Sequence, residues 1–326
     1  MRLAQADRVE ILVLVDNMTD MLSSTPAIVT VEIARLRHRR ISPTMGDAYC
    51  CAAHGLSLLV TAYASDRSKT VLFDGGPASY PIGMNGARLG VDFAAIGAVV
   101  LSHSHWDHAG GLPRALGMCC AANGGQPVPL FLHPAMFQQR GFRMPDGAVM
   151  VSQPFPTEEQ WSAYGARPVV TTEPATILDD LFFVSGEIPR TTSYEQGLDM
   201  NVHRTAVGAP WEPEPQVIDE RFLAVHVRGK GLVVVSGCSH AGIVNVLHHA
   251  RASFPGTALH SVMGGFHLAG LSAEAIIPDT VRDLGLLGLK HIVAGHCTGW
   301  RALNALQNAL GDEVVTPLAV GKLFTI

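Results

Sequence analysis

Charge is scarce in this sequence: Asp, Glu, Lys and Arg together supply 16 % of its 326 residues, while 48 % are apolar. Chains held open by self-repulsion show the opposite balance, so a packed core is expected. A basic excess is also missing. The 23 Lys and Arg face 28 Asp and Glu, a formal net charge of −5, which excludes a broad nucleic-acid-binding face but not a local anion pocket. No apolar run approaches the roughly 18 residues of a membrane helix. Residues 1–7 lack the apolar centre of a signal peptide. Four of the six cysteines stand as adjacent pairs, Cys50 with Cys51 and Cys119 with Cys120, which make a poor disulfide framework. The expectation is a soluble cytoplasmic protein with neither nucleic-acid nor membrane partners.

Short runs rich in Val, Ile, Leu and Phe predict strands over 10–15, 56–63, 70–73, 98–101, 130–132, 168–171, 181–184, 222–227, 232–235, 260–263 and 291–294. Helical periodicity appears over 112–116, 242–252, 273–284 and 300–310. In the last of these Leu303, Leu306 and Leu310 form one apolar stripe. Strands and helices mixed in this way predict an α/β chain with two sheets, or one large sheet, covered by helices. Residues 144–220 differ: prolines recur from Pro145 to Pro215 and periodicity fades. That stretch is expected to be an insertion or lid over one edge of a single domain spanning 1–326.

The densest chemistry lies in VVLSHSHWDHAGG, residues 99–111. An apolar strand there runs out into His103, His105, Asp107 and His108, and Gly110 and Gly111 then open a helix. In extended backbone His103 and His105 project to the same side, and Asp107 and His108 follow where the chain turns. A lone histidine would read as polar surface. Four donors at this spacing read as a metal site suited to Zn, Fe or Mn.

These residues resemble the metallo-β-lactamase superfamily, whose hallmark is His-x-His-x-Asp-His after a strand. The resemblance implies an αββα four-layer sandwich with a metal pair at the strand-end edge, and hydrolysis as the commonest activity. Asp74, in LFDGG, would be a structural residue orienting the ligand loop. A narrower similarity is to proteins resembling 7,8-dihydropterin-6-methyl-4-(β-D-ribofuranosyl)aminobenzene-5′-phosphate synthase. It is carried by Leu14-Val15-Asp16-Asn17, His54-Gly55-Leu56-Ser57, the run from Gly237 to Ile243, Gly264-Gly265-Phe266-His267-Leu268 and Gly295-His296-Cys297-Thr298-Gly299.

The remaining ligands are expected at further strand ends. Strand 232–235 delivers Cys238 and His240 into a turn. Cys238 stands where most of the superfamily has a bridging Asp, so either it bridges as thiolate or His240 supplies the missing ligand; otherwise Cys238 is a small buried hydrophobe. His296 matches the superfamily's last histidine. His267 is a candidate ligand or acid–base group, and Glu187 a candidate for the vacant third-ligand place. Two divalent cations, Zn2+ first and Mn2+ or Fe as alternatives, would lower the pKa of a shared water towards neutrality. Asp107 would both ligate and orient that water, and His267 would deliver a proton or steady an oxyanion.

Helices beginning after Gly111, Ser239 and Thr298 would present free N–H groups to an anionic substrate, with Thr298 as a cap and Arg190 and Arg204 as clamps. The expected activity is hydrolysis of a small anionic ester, phosphoester or lactone. The alternatives are a pterin-related condensing enzyme and a non-catalytic metal-stabilised binding module. Oligomeric state is left open, a homodimer being one outcome.

Overall fold

The computed structural model describes residues 2–42, 44 and 46–326. Two eight-stranded sheets stack face to face. In the first, the order is Ala166–Val170, Val128–Leu132, Ile96–Val100, Arg67–Phe73, Ser57–Ala64, Arg8–Val15, Leu323–Thr325 and Val29–Thr30. In the second it is Ala175–Ile177, Phe182–Val184, Leu223–Val227, Gly231–Ser236, Leu259–Gly265, His291–Gly295 and Val315–Pro317, with Gln5–Ala6 pairing alongside Leu223–Val227.

The two-residue period of a strand sorts side chains between layers. Val9, Ile11 and Val13 enter the cluster between the sheets, as do Leu58, Val60, Val233 and Val235. Leu12 and Leu14 point the other way, against the helices Ser79–Leu89 and Leu112–Ala122. Leu232 and Val234 likewise meet Ile243–Ser253, Ile277–Leu286 and Trp300–Leu310 on the far side. The result is the expected αββα sandwich.

Residues 144–220 divide among three sheets. Val149–Val151, Asn201–Arg204 and Glu212–Pro213 join Gln139–Arg143 in a separate four-stranded sheet, while Ala166–Val170, Ala175–Ile177 and Phe182–Val184 extend the edges of the two main ones. The single helix expected over 273–284 is two, Leu271–Glu274 and Ile277–Leu286, the second starting with Pro278 in its first turn. Helix Ser79–Leu89 was not expected, since Pro81, Gly83 and Gly86 interrupt its pattern. Pro81 lies in the first turn, and Gly86 admits the ring of Phe93, whose Cζ would stand 2.8 Å from an added Cβ.

Strands Gly231–Ser236, Leu259–Gly265 and His291–Gly295 run parallel, so their C-terminal ends leave the sheet at one edge. That edge delivers Cys238 and His240, then His267, then His296. Strand Ile96–Val100 of the other sheet ends nearby and delivers His103 to His108. No helix of the described residues is long and apolar enough to cross a membrane.

Candidate metal centre

The strand ends bring seven donors into two adjoining groups. His103, His105 and His240 form one, and Asp107, His108, Cys238 and His296 the other; within each group the donor atoms lie within 4.8 Å of one another. Asp107 and His108 owe their direction to the short helix Trp106–Ala109. That turn is pinned where Leu56 N donates to Asp107 O at 3.2 Å and Gly75 N to His108 O at 2.7 Å.

Three imidazoles have one nitrogen tied to the chain and the other free for the site. His108 Nδ1 donates to Asp74 Oδ2 at 2.7 Å, leaving Nε2 towards Cys238 Sγ at 3.1 Å. Ser102 Oγ gives its proton to Asp74 Oδ2 at 2.8 Å, so at 2.9 Å His103 Nδ1 must be the donor to that hydroxyl. Its Nε2 lone pair then faces His105 Nδ1 at 3.1 Å. Asn17 Oδ1, which already accepts from Gly55 N at 3.1 Å, lies 3.2 Å from His296 Nδ1. That contact leaves His296 Nε2 beside Asp107 Oδ2, 3.2 Å away but out of hydrogen-bond alignment.

This tautomer control is what metal-ligating histidines require. The Nε2 atoms of His240 and His296 are buried without a hydrogen-bond partner. Such orphans are rare in a satisfied core, and a cation held by these donors accounts for both. The donor set therefore fits divalent metal.

Electrostatics agree. Burial holds His103 and His240 well below the ordinary imidazole value and takes His105 and His267 down to about 4, so these rings are neutral donors of lone pairs. Burial would raise the Asp107 carboxyl, but His108, His296 and His105 outweigh it and hold it ionised. His108 differs: burial opposes charge on it, yet Asp107 and Asp74 lift it to about 9, so in the metal-free chain its Nε2 holds a proton that a bound cation would displace. Strained backbone concentrates here: Asp74, Ser239, His267 and His296 all take positive φ, between 45° and 60°.

His105, Asp107, Cys238, His240 and His296 form the floor of a cavity of about 740 Å³, walled by Trp106, Pro113, Met136, Phe142, Met150, Phe155, Tyr164 and Met200. His267 lines it, its ring centroid 4.2 Å from that of His240. Arg140 is the one Lys or Arg among the described lining residues, and Glu214 and Asp219 engage its guanidinium at 2.6–2.8 Å.

Several expected participants lie elsewhere. Arg190 turns to Gln216 O beside a separate cavity. Arg204 donates to Gln139 Oε1 at 2.6 Å and stacks on Trp211. Neither clamps the site, because local acceptors and an aromatic face hold them in the irregular segment. Glu187 pairs with His133 Nε2 at 3.2 Å and supplies no third ligand. Thr298 is buried, its Oγ1 accepting from Phe266 N at 3.0 Å, so it shapes the His267 turn and does not face substrate. The helix N-terminus after Ser239 is closed by Glu195, which accepts from Val244 N at 3.0 Å and Asn245 N at 2.9 Å. His54, not singled out by the strand-end argument, sits at the cavity with Nε2 3.7 Å from Asp107 Oδ2. The motif His54-Gly55-Leu56-Ser57 carried that signal.

The sandwich and its two donor groups together define a class, and residues 54–116 match the model of the metallo-beta-lactamase superfamily. The chain belongs to the metallo-β-lactamase superfamily. A Methanocaldococcus jannaschii protein named 7,8-dihydropterin-6-methyl-4-(beta-D-ribofuranosyl)-aminobenzene-5′-phosphate synthase is 32 % identical over 262 residues, 80 % of this chain and 86 % of the relative. Among solved structures, Tm1679, described as a metal-dependent hydrolase of the beta-lactamase superfamily, aligns over 98 % of both chains with TM-score 0.68 and 23 % identity. Unliganded yeast PDE1 aligns over 98 % of this chain and 99 % of its own with TM-score 0.55 and 12 % identity. Both likenesses are of fold.

Proposed function

We propose that the chain is a metal-dependent hydrolase with a dinuclear site, acting on an ester, phosphoester or lactone that carries an anionic group. The observation that supports this most directly is the convergence of seven donors in two groups, with three imidazoles fixed in tautomer by Asp74, Ser102 and Asn17. A nitrogen-rich set with one thiol suits Zn2+. Two such cations supply Lewis acidity and an activated water.

The chain's own groups complete the chemistry. The ionised Asp107 carboxylate, 3.2 Å from His296 Nε2, orients the attacking water by accepting its proton in a hydrogen bond. Neutral His267, whose Nδ1 is buried without a partner, is placed to steady developing oxyanion charge. The apolar walls take up the body of the substrate and exclude water. Among the described lining residues the Arg140 guanidinium is already engaged and there is no other Lys or Arg, so an anionic group would have to be met at the donor groups that would hold the cations.

The test is turnover by His105→Ala and Asp107→Ala proteins across phosphodiester, lactone, thioester and β-lactam panels. Unchanged rates in both would remove the reading, and tight metal without turnover in the unaltered protein would favour a binding module. A second reading, a condensing enzyme, draws on the synthase name of the 32 % identical relative. Product formed in ¹⁸O-labelled water separates the two: hydrolysis places the label in the product, whereas condensation does not.

A further inference from the structure

We propose that three consecutive residues, Asp219, Glu220 and Arg221, are a positioning clip that sets the geometry of the His103–His105–His240 group. The proposal rests on the reading that this group holds a cation. The three residues are 0 %, 2 % and 1 % exposed, an unusual depth for three charged side chains in a row. Each contacts a ligand-bearing loop. Asp219 Oδ2 accepts from Ser104 N at 3.0 Å, on the residue between His103 and His105. Arg221 N donates to Ser102 O at 2.9 Å, one residue before His103. Glu220 accepts from His240 N through Oε1 at 2.7 Å and from Ala241 N through Oε2 at 2.6 Å.

One short segment, leaving the turn that Glu220 N closes on Val217 O at 3.1 Å, therefore ties the His103–His105 loop, which leaves the first sheet, to the His240 loop, which leaves the second. Asp74 pins His108 and, through Ser102, His103, while Asn17 pins His296; among the described residues neither side chain hydrogen-bonds to the His240 loop, which is the tie that Glu220 makes.

The two acceptor oxygens of Glu220 matter to the fit. Only a carboxylate presents two acceptor oxygens to two adjacent N–H donors; a carboxamide must turn an NH2 against one of them. Burying that carboxylate is unfavourable unless it is hydrogen-bonded, which the two short N–H contacts provide. Asp219 is balanced separately, by Arg140 Nη1 at 2.8 Å, and Arg140 Nη1 also donates to Ser104 Oγ. Arg140 comes from strand Gln139–Arg143, so the clip also docks the four-stranded sheet, a wall of the cavity, onto the ligand loop.

The experiment is a Co2+ titration of metal-free protein against a chromophoric chelator, for the unaltered chain and for Glu220→Gln. We expect the unaltered chain to take two ions. Glu220→Gln should bind one of them about 10- to 100-fold more weakly, the range for losing an outer partner of a metal ligand, and keep the other together with the Cys238 thiolate-to-cobalt absorption. Both ions bound as tightly as before, or both lost along with the thiolate absorption, would overturn the clip.

Should Glu220→Gln fail to fold, Asp219→Asn serves: it leaves an oxygen for Ser104 N but removes the charge facing Arg140. Weakening at the same single site is expected, and a titration matching the unaltered chain overturns the proposal. An unaltered chain that takes no ion at the three-histidine group sinks the dinuclear reading and the clip together, whereas a normal Glu220→Gln titration sinks the clip alone.

Discussion

Asp74 Oδ2 lies 2.7 Å from His108 Nδ1, and neither side chain has any exposed surface. The same carboxylate accepts from Ser102 N at 2.7 Å and Ser102 Oγ at 2.8 Å, so one anion fixes the tautomer of His108 directly and that of His103 through a hydroxyl. Asp74→Asn keeps the volume but removes the charge and one acceptor. It should weaken metal binding about 10- to 100-fold, as is usual for outer partners of metal ligands. Chelator competition on the purified variant reads this, and an affinity equal to that of the unaltered protein would show that Asp74 only shapes the turn.

Cys238 separates a metal thiolate from a buried hydrophobe. Burial, then the neighbouring Cys297 thiol, raise the Cys238 thiol well above its ordinary value, so without a cation it is protonated. A coordinating cation deprotonates such a thiol outright. Co2+-loaded protein should show a sulfur-to-cobalt band that Cys238→Ser abolishes while the ion count stays at two. A band that persists in the serine variant would assign it to another sulfur, with Cys297 first in line because its Sγ lies 3.4 Å from Cys238 O.

Substrate affinity should follow the cavity wall and not the distant arginines. Phe142 lines the cavity with its ring 6.0 Å from that of His105. Phe142→Ala should raise KM about tenfold with kcat little changed, the loss expected from uncovering a large apolar contact. Arg204→Ala should leave both parameters within about twofold, as is usual for substitutions away from a site. Steady-state kinetics on any substrate that the panel identifies decides it, and the reverse pattern would return Arg204 to the site.

Much of this centre could be read from the sequence because its donors sit at the ends of apolar runs. His103 to His108 follow strand Ile96–Val100, Cys238 and His240 follow Gly231–Ser236, and His296 follows His291–Gly295. Parallel pairing of the last two strands with Leu259–Gly265 is what makes these positions converge. The Arg140–Asp219 pair left no such trace, since its partners are 79 residues apart and only tertiary folding makes them neighbours. The four-stranded sheet was equally hidden: Gln139–Arg143 reads Gln-Arg-Gly-Phe-Arg, with Arg140 and Gly141 buried side by side, without the apolar alternation that marks a strand. Arginine clamps were expected because a guanidinium in an irregular stretch looks free to reach an anion. Sequence does not show that Gln216 O and Gln139 Oε1 already hold them.

The pH response of folding should carry a signature from outside the metal centre. His260, on strand Leu259–Gly265, has its ring 5.6 Å from that of His291 and Nδ1 2.6 Å from Ser261 Oγ. Burial, then His291, Lys230 and Lys290, lower its pKa from 6.5 to about 4. The folded chain therefore resists a proton that the unfolded chain accepts. Above pH 6.5 the ring is neutral in both states and its full contribution is present. As pH falls below that value the unfolded chain protonates first and stability is lost, until near pH 4 the folded ring protonates as well.

His260→Gln removes this term, so urea unfolding of metal-free protein should show a shallower fall in stability between pH 7 and about 4.5 than the unaltered chain. Using metal-free protein keeps ligand release out of the slope, and the buried histidines of the site contribute equally to both proteins. Identical slopes would mean that His260 titrates alike in the folded and unfolded chains, and that the strand leaves its ring open to solvent.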